Sequence, residues 1–235
     1  LNVAVRVVDA AACAPRPWAN GGGATRELAS GAAAGDAGPG DVRMRVAGLP
    51  EFEWRLSLAD IDREGPFSAL PGVDRLFAPI AGRVALAFGG RDPVTLGADD
   101  APFAFDGALA PHARLDGGRP ARALNLMCTR GCRAGAMRRV ALADGGAPDR
   151  GWARAAVAGG AALRGWFVQA GRVGAGGVEH GAGTLLLWDG VADGDDGDRS
   201  GAPRALGPAR VVEFAVSARF APTDAGRPPA PRTSR

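Results

Sequence analysis

The densest run of chemically useful residues is Pro17-Trp18-Ala19-Asn20-Gly21-Gly22-Gly23-Ala24-Thr25-Arg26-Glu27. Three successive glycines open backbone conformations closed to other residues, and their N–H groups suit an anion. Trp18 offers a flat apolar wall; Asn20, Thr25 and Arg26 offer donors. The run is not a nucleotide phosphate loop, because no Gly-Lys-Ser/Thr leads into a helix. Two readings stand: an anion cradle, or a tight connection between strands.

Trp54-Arg55-Leu56-Ser57-Leu58-Ala59-Asp60 alternates with period two. Trp54, Leu56 and Leu58 share one face; Arg55 and Ser57 share the other. Arg55 then meets solvent or lines an interior. In an interior it requires a carboxylate or an anionic ligand. Gly65 to Arg75 is turn-rich, with Phe67 and Ser68 as candidate contacts. Asp74 and Arg75 read as a surface pair of little energetic weight. In Ala123 to Met127, Asn125 and Met127 lie opposite Leu124 and Leu126. Asparagine is disfavoured within strands, so Asn125 is expected to have a hydrogen-bonding task.

Metal and nucleophile chemistry find little support. His112 and His180 belong to no paired motif. Cys128 and Cys132 have half the spacing of a zinc site without a second pair. Arg130 lies between them, but no histidine adjoins, so structural thiols are expected of all three cysteines, Cys13 included. No Gly-x-Ser-x-Gly elbow occurs. No metal, cofactor or catalytic residue is expected.

Positioning such residues is work for strands. With Gly 37 and Pro 18 among 235 residues, a helical bundle is excluded. Short apolar or alternating runs occupy Val3–Val8, Val42–Val46, Trp54–Leu58, Arg83–Phe88, Pro102–Phe105, Ala123–Met127, Leu163–Val168, Thr184–Trp188 and Val211–Val216. Glycine-rich turns bound most of them, as in a barrel or sandwich. Asp60 to Gly65 reads as one helical turn. Ser30–Gly40 and Val191–Ala205 read as surface loops, and Pro222–Arg235 as a disordered tail. Strand density falls near Ala134–Arg150, which suggests a soft boundary between two β halves.

No apolar run reaches the roughly 20 residues of a membrane span. Leu1 to Asp9 alternates and lacks a secretory pattern, so a cytoplasmic location is expected. The net charge is +3, and every basic residue is arginine. The arginines are scattered, which argues against nucleic acid as a partner.

Four blocks in order resemble the HutD/Ves family. They are Pro17-Trp18 with Asn20-Gly21-Gly22-Gly23 and Thr25-Arg26-Glu27; Trp54 to Asp60; Gly65-Pro66-Phe67-Ser68 with Pro71 to Arg75; and Asn125-Leu126-Met127 with Arg130-Gly131. The resemblance implies an all-β, RmlC-like cupin fold with two tandem cupin-type barrels, a bicupin. Residues 1–135 would form the first barrel, 136–221 a more degenerate second, and 222–235 the tail.

It also implies a link to histidine utilisation. The implied function is metal-independent, non-enzymatic binding of a small carboxylated metabolite such as formylglutamate, moderating pathway flux. Arg26, Arg55 and Arg75 would take the carboxylate. Asn20, Gly21, Gly22 and Gly23 would orient it, and Trp18 and Phe67 would wall it, with Thr25, Ser57, Ser68, Asn125 and Met127 alongside. The family usually carries Lys or Arg at the place of Ala19, and Asp at that of Ala123. Two alternatives stand. One is a metal-independent isomerase or hydrolase using Asp60, Asp62 or Glu27; the other is a scaffold that pairs as a homodimer.

Overall fold

The computed structural model describes residues 4–32, 52–157, 161–189 and 202–217. The first stretch of chain forms β1 (Arg6–Asp9), β2 (Arg16–Pro17), β3 (Gly23–Ala32), β4 (Phe52–Ile61), β5 (Gly65–Pro66), β6 (Val73–Ala81), β7 (Arg83–Ala87), β8 (Val94–Gly97), β9 (Phe103–Asp106), β10 (His112–Leu115) and β11 (Ala121–Thr129). The rest forms β12 (Gly135–Leu142), α1 (Arg150–Ala156), β13 (Ala161–Ala170), β14 (Val173–Ala175), β15 (Val178–His180), β16 (Thr184–Asp189), β17 (Arg204–Ala205) and β18 (Ala209–Ser217).

The strands build four sheets. A six-stranded sheet runs β2-β3-β4-β11-β6-β9 and faces a four-stranded sheet, β5-β10-β7-β8. A five-stranded sheet runs β1-β16-β13-β18-β12 and faces a three-stranded one, β15-β14-β17. Ile61, Phe77, Phe105 and Ala123 meet Val84, Leu86, Leu96 and Leu115 inside the first pair of sheets. Trp166, Val168, Leu186 and Val211 meet Val173, Ala175 and Ala205 inside the second.

A third core joins the halves. Trp54, Leu56, Leu58, Leu124, Leu126 and Cys128 of the six-stranded sheet pack on Met137, Phe167, Leu185, Leu187, Val212, Phe214 and Val216 of the five-stranded one. The two large sheets therefore lie back to back. Because strand side chains alternate, apolar residues committed to this shared core turn the next residues of β4 and β11 inward. The neighbour order also recurs along the chain. β4-β11-β6-β9 with β10-β7-β8 is followed by β12-β18-β13-β16 with β17-β14-β15.

Most strand expectations match, but several do not. Asp60–Gly65 forms no helical turn: β4 continues to Ile61, held by β11 through Asp60 opposite Arg122 and Ile61 opposite Ala121. Chain at Ala134–Arg150 is not strand-poor, since β12 pairs along its whole length with β18. β6 escapes sequence reading because Pro79 interrupts it, tolerated beside the register shift at Arg122/Ala123. β3 is masked by small residues and by a bulge between Glu27 and Ala29 that breaks its alternation. The Val42–Val46 run and the Pro222–Arg235 tail lie outside the described residues, as do most of the two expected loops.

Leu126 is fully buried in the shared core. Truncating it removes transfer energy and leaves a cavity between two sheets that cannot collapse independently. Leu126→Ala is expected to cost about 3 kcal/mol, read as a lower urea midpoint at unchanged slope.

Candidate ligand-binding site

On the six-stranded sheet, register rows place the candidate residues without ambiguity. Ser30, Arg55, Met127, Arg75 and Phe105 stand in one row across β3-β4-β11-β6-β9. Glu27, Ser57, Asn125 and Phe77 form the next. Arg55, Ser57, Asn125, Met127 and Arg75 share the face turned toward the first interior, which Ala59, Ile61, Phe77 and Ala123 line beyond them. Arg75 is not half of a surface pair: it is 4% exposed, while Asp74 on the other face binds Arg130 at 2.7 Å.

The two guanidiniums are poorly satisfied. Arg75 lies between aromatic faces, 5.1 Å from the Phe67 centroid and 5.0 Å from that of Phe105. Its polar contacts are long: Nε donates to Asn125 Oδ1 and Nη1 to the Ser68 carbonyl, each at 3.5 Å. Arg55 sits over the Phe52 ring at 4.7 Å and reaches Met127 Sδ at 3.4 Å. Its Nε is buried without a hydrogen-bond partner. Neither arginine makes an ion pair among the described residues.

Burial, then the like charge of Arg55, pushes the Arg75 pKa down to about 10. Burial also lowers that of Arg55, opposed by the Glu27 carboxylate within Coulombic reach. In both, burial outweighs the compensation at hand, and an added anion would favour the charged forms.

Trp18, Phe67 and Thr25 border this interior. Trp18 Nε1 donates to Thr25 Oγ1 at 2.7 Å, and its ring meets Phe67 edge-on at 6.0 Å. The triple-glycine run behaves as a tight connection. Gly21 takes φ +66°, and a Cβ at Gly23 would lie 2.0 Å from the Asp60 carbonyl. The Gly21 amide donates to the Trp18 carbonyl and that of Gly22 to Asn20 Oδ1, both at 2.9 Å. Those donors are already engaged. Asn20 Nδ2 reaches the Pro66 carbonyl at 3.4 Å and ties this loop to the Phe67 segment.

Arg26 is not brought to the cluster. It stands opposite Leu58, on the other face of the sheet from Glu27, and pairs with Asp60. Arg122 holds the second Asp60 oxygen at 2.6 Å. The same alternation turns Glu27 toward the interior face, where its Oε1 accepts from Ser30 Oγ at 2.7 Å. Sequence reading missed Phe52 and Phe105 as partners of the arginines. Their only signal was alternation in short aromatic runs, and strand pairing was needed to bring them there.

The back-to-back β architecture is that of a cupin-like protein. HutD from Pseudomonas fluorescens SBW25 superposes with a TM-score of 0.64 at 26% identity, covering 93% of this chain and 100% of that one. A bacterial pirin from Escherichia coli in complex with nickel(II) superposes at 0.57 and 12% identity, over 92% and 100%. The HutD family model matches residues 10–175, and the chain belongs to that family.

Among curated relatives, an uncharacterized 21.2 kDa protein in the hutC 3′ region of Pseudomonas putida is 37% identical over 103 residues, 43% of this chain and 47% of that protein. Protein Ves of Cronobacter sakazakii is 34% identical over 119 residues, 50% of this chain and 57% of the other. The chain thus spans about half the length of the curated relatives it matches.

The cysteines lie apart from the cluster. Cys128 is fully buried in the shared core, and burial raises its thiol pKa to about 12. Arg130 does not activate it, being held by Asp74 and Asp106 at 2.7 Å each. Iodoacetamide at pH 8 should therefore alkylate the half-buried Cys13 and Cys132 in the native protein and reach Cys128 only after unfolding. Peptide mapping by mass spectrometry checks the order.

Proposed function

We propose that this chain binds a small carboxylated metabolite within the first of two tandem cupin-type barrels, without catalysing its conversion. The observation that carries the reading is the Arg55 and Arg75 pair: two cations on one interior face, with no ion-pair partner among the described residues and one orphaned Nε. Buried charges persist when paired, and a pair of planar guanidinium forks suits a carboxylate. Asn125 and Ser57 flank the place such a group would take, and Phe67 and Trp18 supply the apolar wall. The recurring strand order supports the tandem-barrel description.

The interior donor set is cationic and amide-bearing, which suits an anion and does not fit a metal cation. Given the family and the hutC-region relative, the ligand class we favour is an acidic intermediate of histidine degradation, formylglutamate first, with pathway moderation as the role and the cytoplasm as the setting. One observation favours an isomerase or hydrolase instead: Glu27 shares the interior face with Arg55 and Ser57. Asp60 is held by two arginines on the other face and Asp62 is exposed, so neither is placed for that work.

A thermal-shift panel of histidine, urocanate, imidazolone propionate, formiminoglutamate, formylglutamate and glutamate tests the reading. A native-state ligand at a hundredfold excess over its Kd adds about 2.7 kcal/mol, roughly 5–10 °C for a chain of this size. One acid is expected to give such a shift. Arg55→Ala and Arg75→Met are each expected to raise its Kd by about 10–100-fold, the worth of a charge-assisted hydrogen bond, which cuts the shift to between about one half and one sixth. Equal shifts in all three proteins would defeat the assignment. Consumption of the acid, followed by NMR, would favour the enzymatic reading.

A further inference from the structure

The second interior contains a matching device. Arg164 on β13 stands opposite Trp188 on β16, with its guanidinium 5.7 Å from that ring. Arg75 on β6 stands opposite Phe105 on β9 at 5.0 Å. The recurring strand order makes β6 the counterpart of β13, and β9 that of β16. On the next strand over, Arg75 faces Met127 and Arg164 faces Ala215. Two residues before each, on the same interior face, stand Asn125 in the first half and Glu213 in the second. Glu213 therefore takes the register position of Asn125.

The difference is chemical. In the first half Arg75 finds two neutral amide oxygens, Asn125 Oδ1 and the Ser68 carbonyl, each at 3.5 Å. In the second, Glu213 Oε1 accepts from Arg164 Nη2 at 2.8 Å, and Oε2 accepts from Arg138 Nη2 at 2.6 Å and Nε at 2.8 Å. Glu213 and Arg164 are almost completely buried, at 1% and 2% side-chain exposure. Trp152 of α1 covers Arg138 at 4.3 Å, and Asp149 at the head of that helix accepts from Arg164 through its carbonyl at 2.6 Å. Ala153 and Val157 pack on Ala215 and close this side. Even so, Arg164 Nε and Trp166 Nε1 remain buried without acceptors. The interior has more donors than Glu213 can satisfy.

We infer that Glu213 is a tethered carboxylate ligand: the second half contains its own carboxylate-recognition site and occupies it with its own side chain. The match to the first half draws on the reading proposed above, but the Glu213 site stands on its own contacts. The half that binds from solution is the one with an amide at this position, and the half with a glutamate is closed to outside anions.

Glu213→Ala removes the atoms of one acetate and leaves both arginines, so acetate is the probe. The variant is made in an Arg75→Met background, which weakens the first half's contribution, and the Arg75→Met parent measures what remains of it. In chloride, Glu213→Ala is expected to lower the unfolding midpoint by roughly 10 °C, as expected for an uncompensated buried charge. Acetate at matched ionic strength should restore at least half of that loss saturably, while the Arg75→Met parent shows no such response. Glu213→Gln keeps the volume without the charge and should lose stability without acetate rescue.

If Glu213→Ala does not fold in chloride, its refolding yield in acetate against chloride reads the same effect. An unchanged midpoint, or equal acetate responses in variant and parent, would overturn the inference. Failure of the first-half reading shows separately, as identical ligand shifts in wild type and Arg75→Met.

Discussion

The apolar layer between the two large sheets governs the rest of the molecule. Leu56, Leu124, Leu126, Phe214 and Val212 are withdrawn from water there, and each belongs to a strand whose side chains alternate. Once they face the shared core, Arg55, Ser57, Asn125 and Met127 must face the first interior. Arg164 and Glu213 must likewise face the second. A one-residue slip would bring charged groups into the shared core and leucines out of it, so hydrophobic burial enforces the register that places the polar residues.

The two interiors then solve one electrostatic problem differently. A guanidinium withdrawn from water needs a counter-charge or several good acceptors. The second half supplies a carboxylate from its own chain, held by two arginines on adjoining strands and covered by a short helix. The first half supplies aromatic faces, a thioether and long contacts to amide oxygens. That leaves Arg55 and Arg75 as its least compensated charges, at the interior end bordered by Phe67 and Trp18.

Much of this was legible in the sequence. Alternation in Trp54–Leu58 and Ala123–Met127 separates the shared-core face from the face that carries Arg55 and Asn125, because period two needs no tertiary knowledge. Alternation alone requires that Arg26 and Glu27 point apart, but not which of them turns inward. That choice depended on β3 pairing with β4, Glu27 opposite Ser57 and Arg26 opposite Leu58. Arg75 was misread because β6 carries Pro79 and begins in a turn-rich segment, so the strand that buries it left no clean pattern. The triple-glycine run was readable only as two alternatives. The choice came from a backbone close approach at Asp60, which only three-dimensional pairing creates.

β1 has a different kind of consequence. The chain begins its described part in the five-stranded sheet, as the neighbour of β16, and only then enters the six-stranded sheet through β2. The first-half strands are thus threaded between β1 and its partners. Neither half can be excised as a contiguous module without leaving a strand behind or exposing the shared leucine layer. For a gene this makes the pair a unit of inheritance. Recombination near the β11–β12 junction would exchange two incomplete pieces, so the halves are constrained to change together.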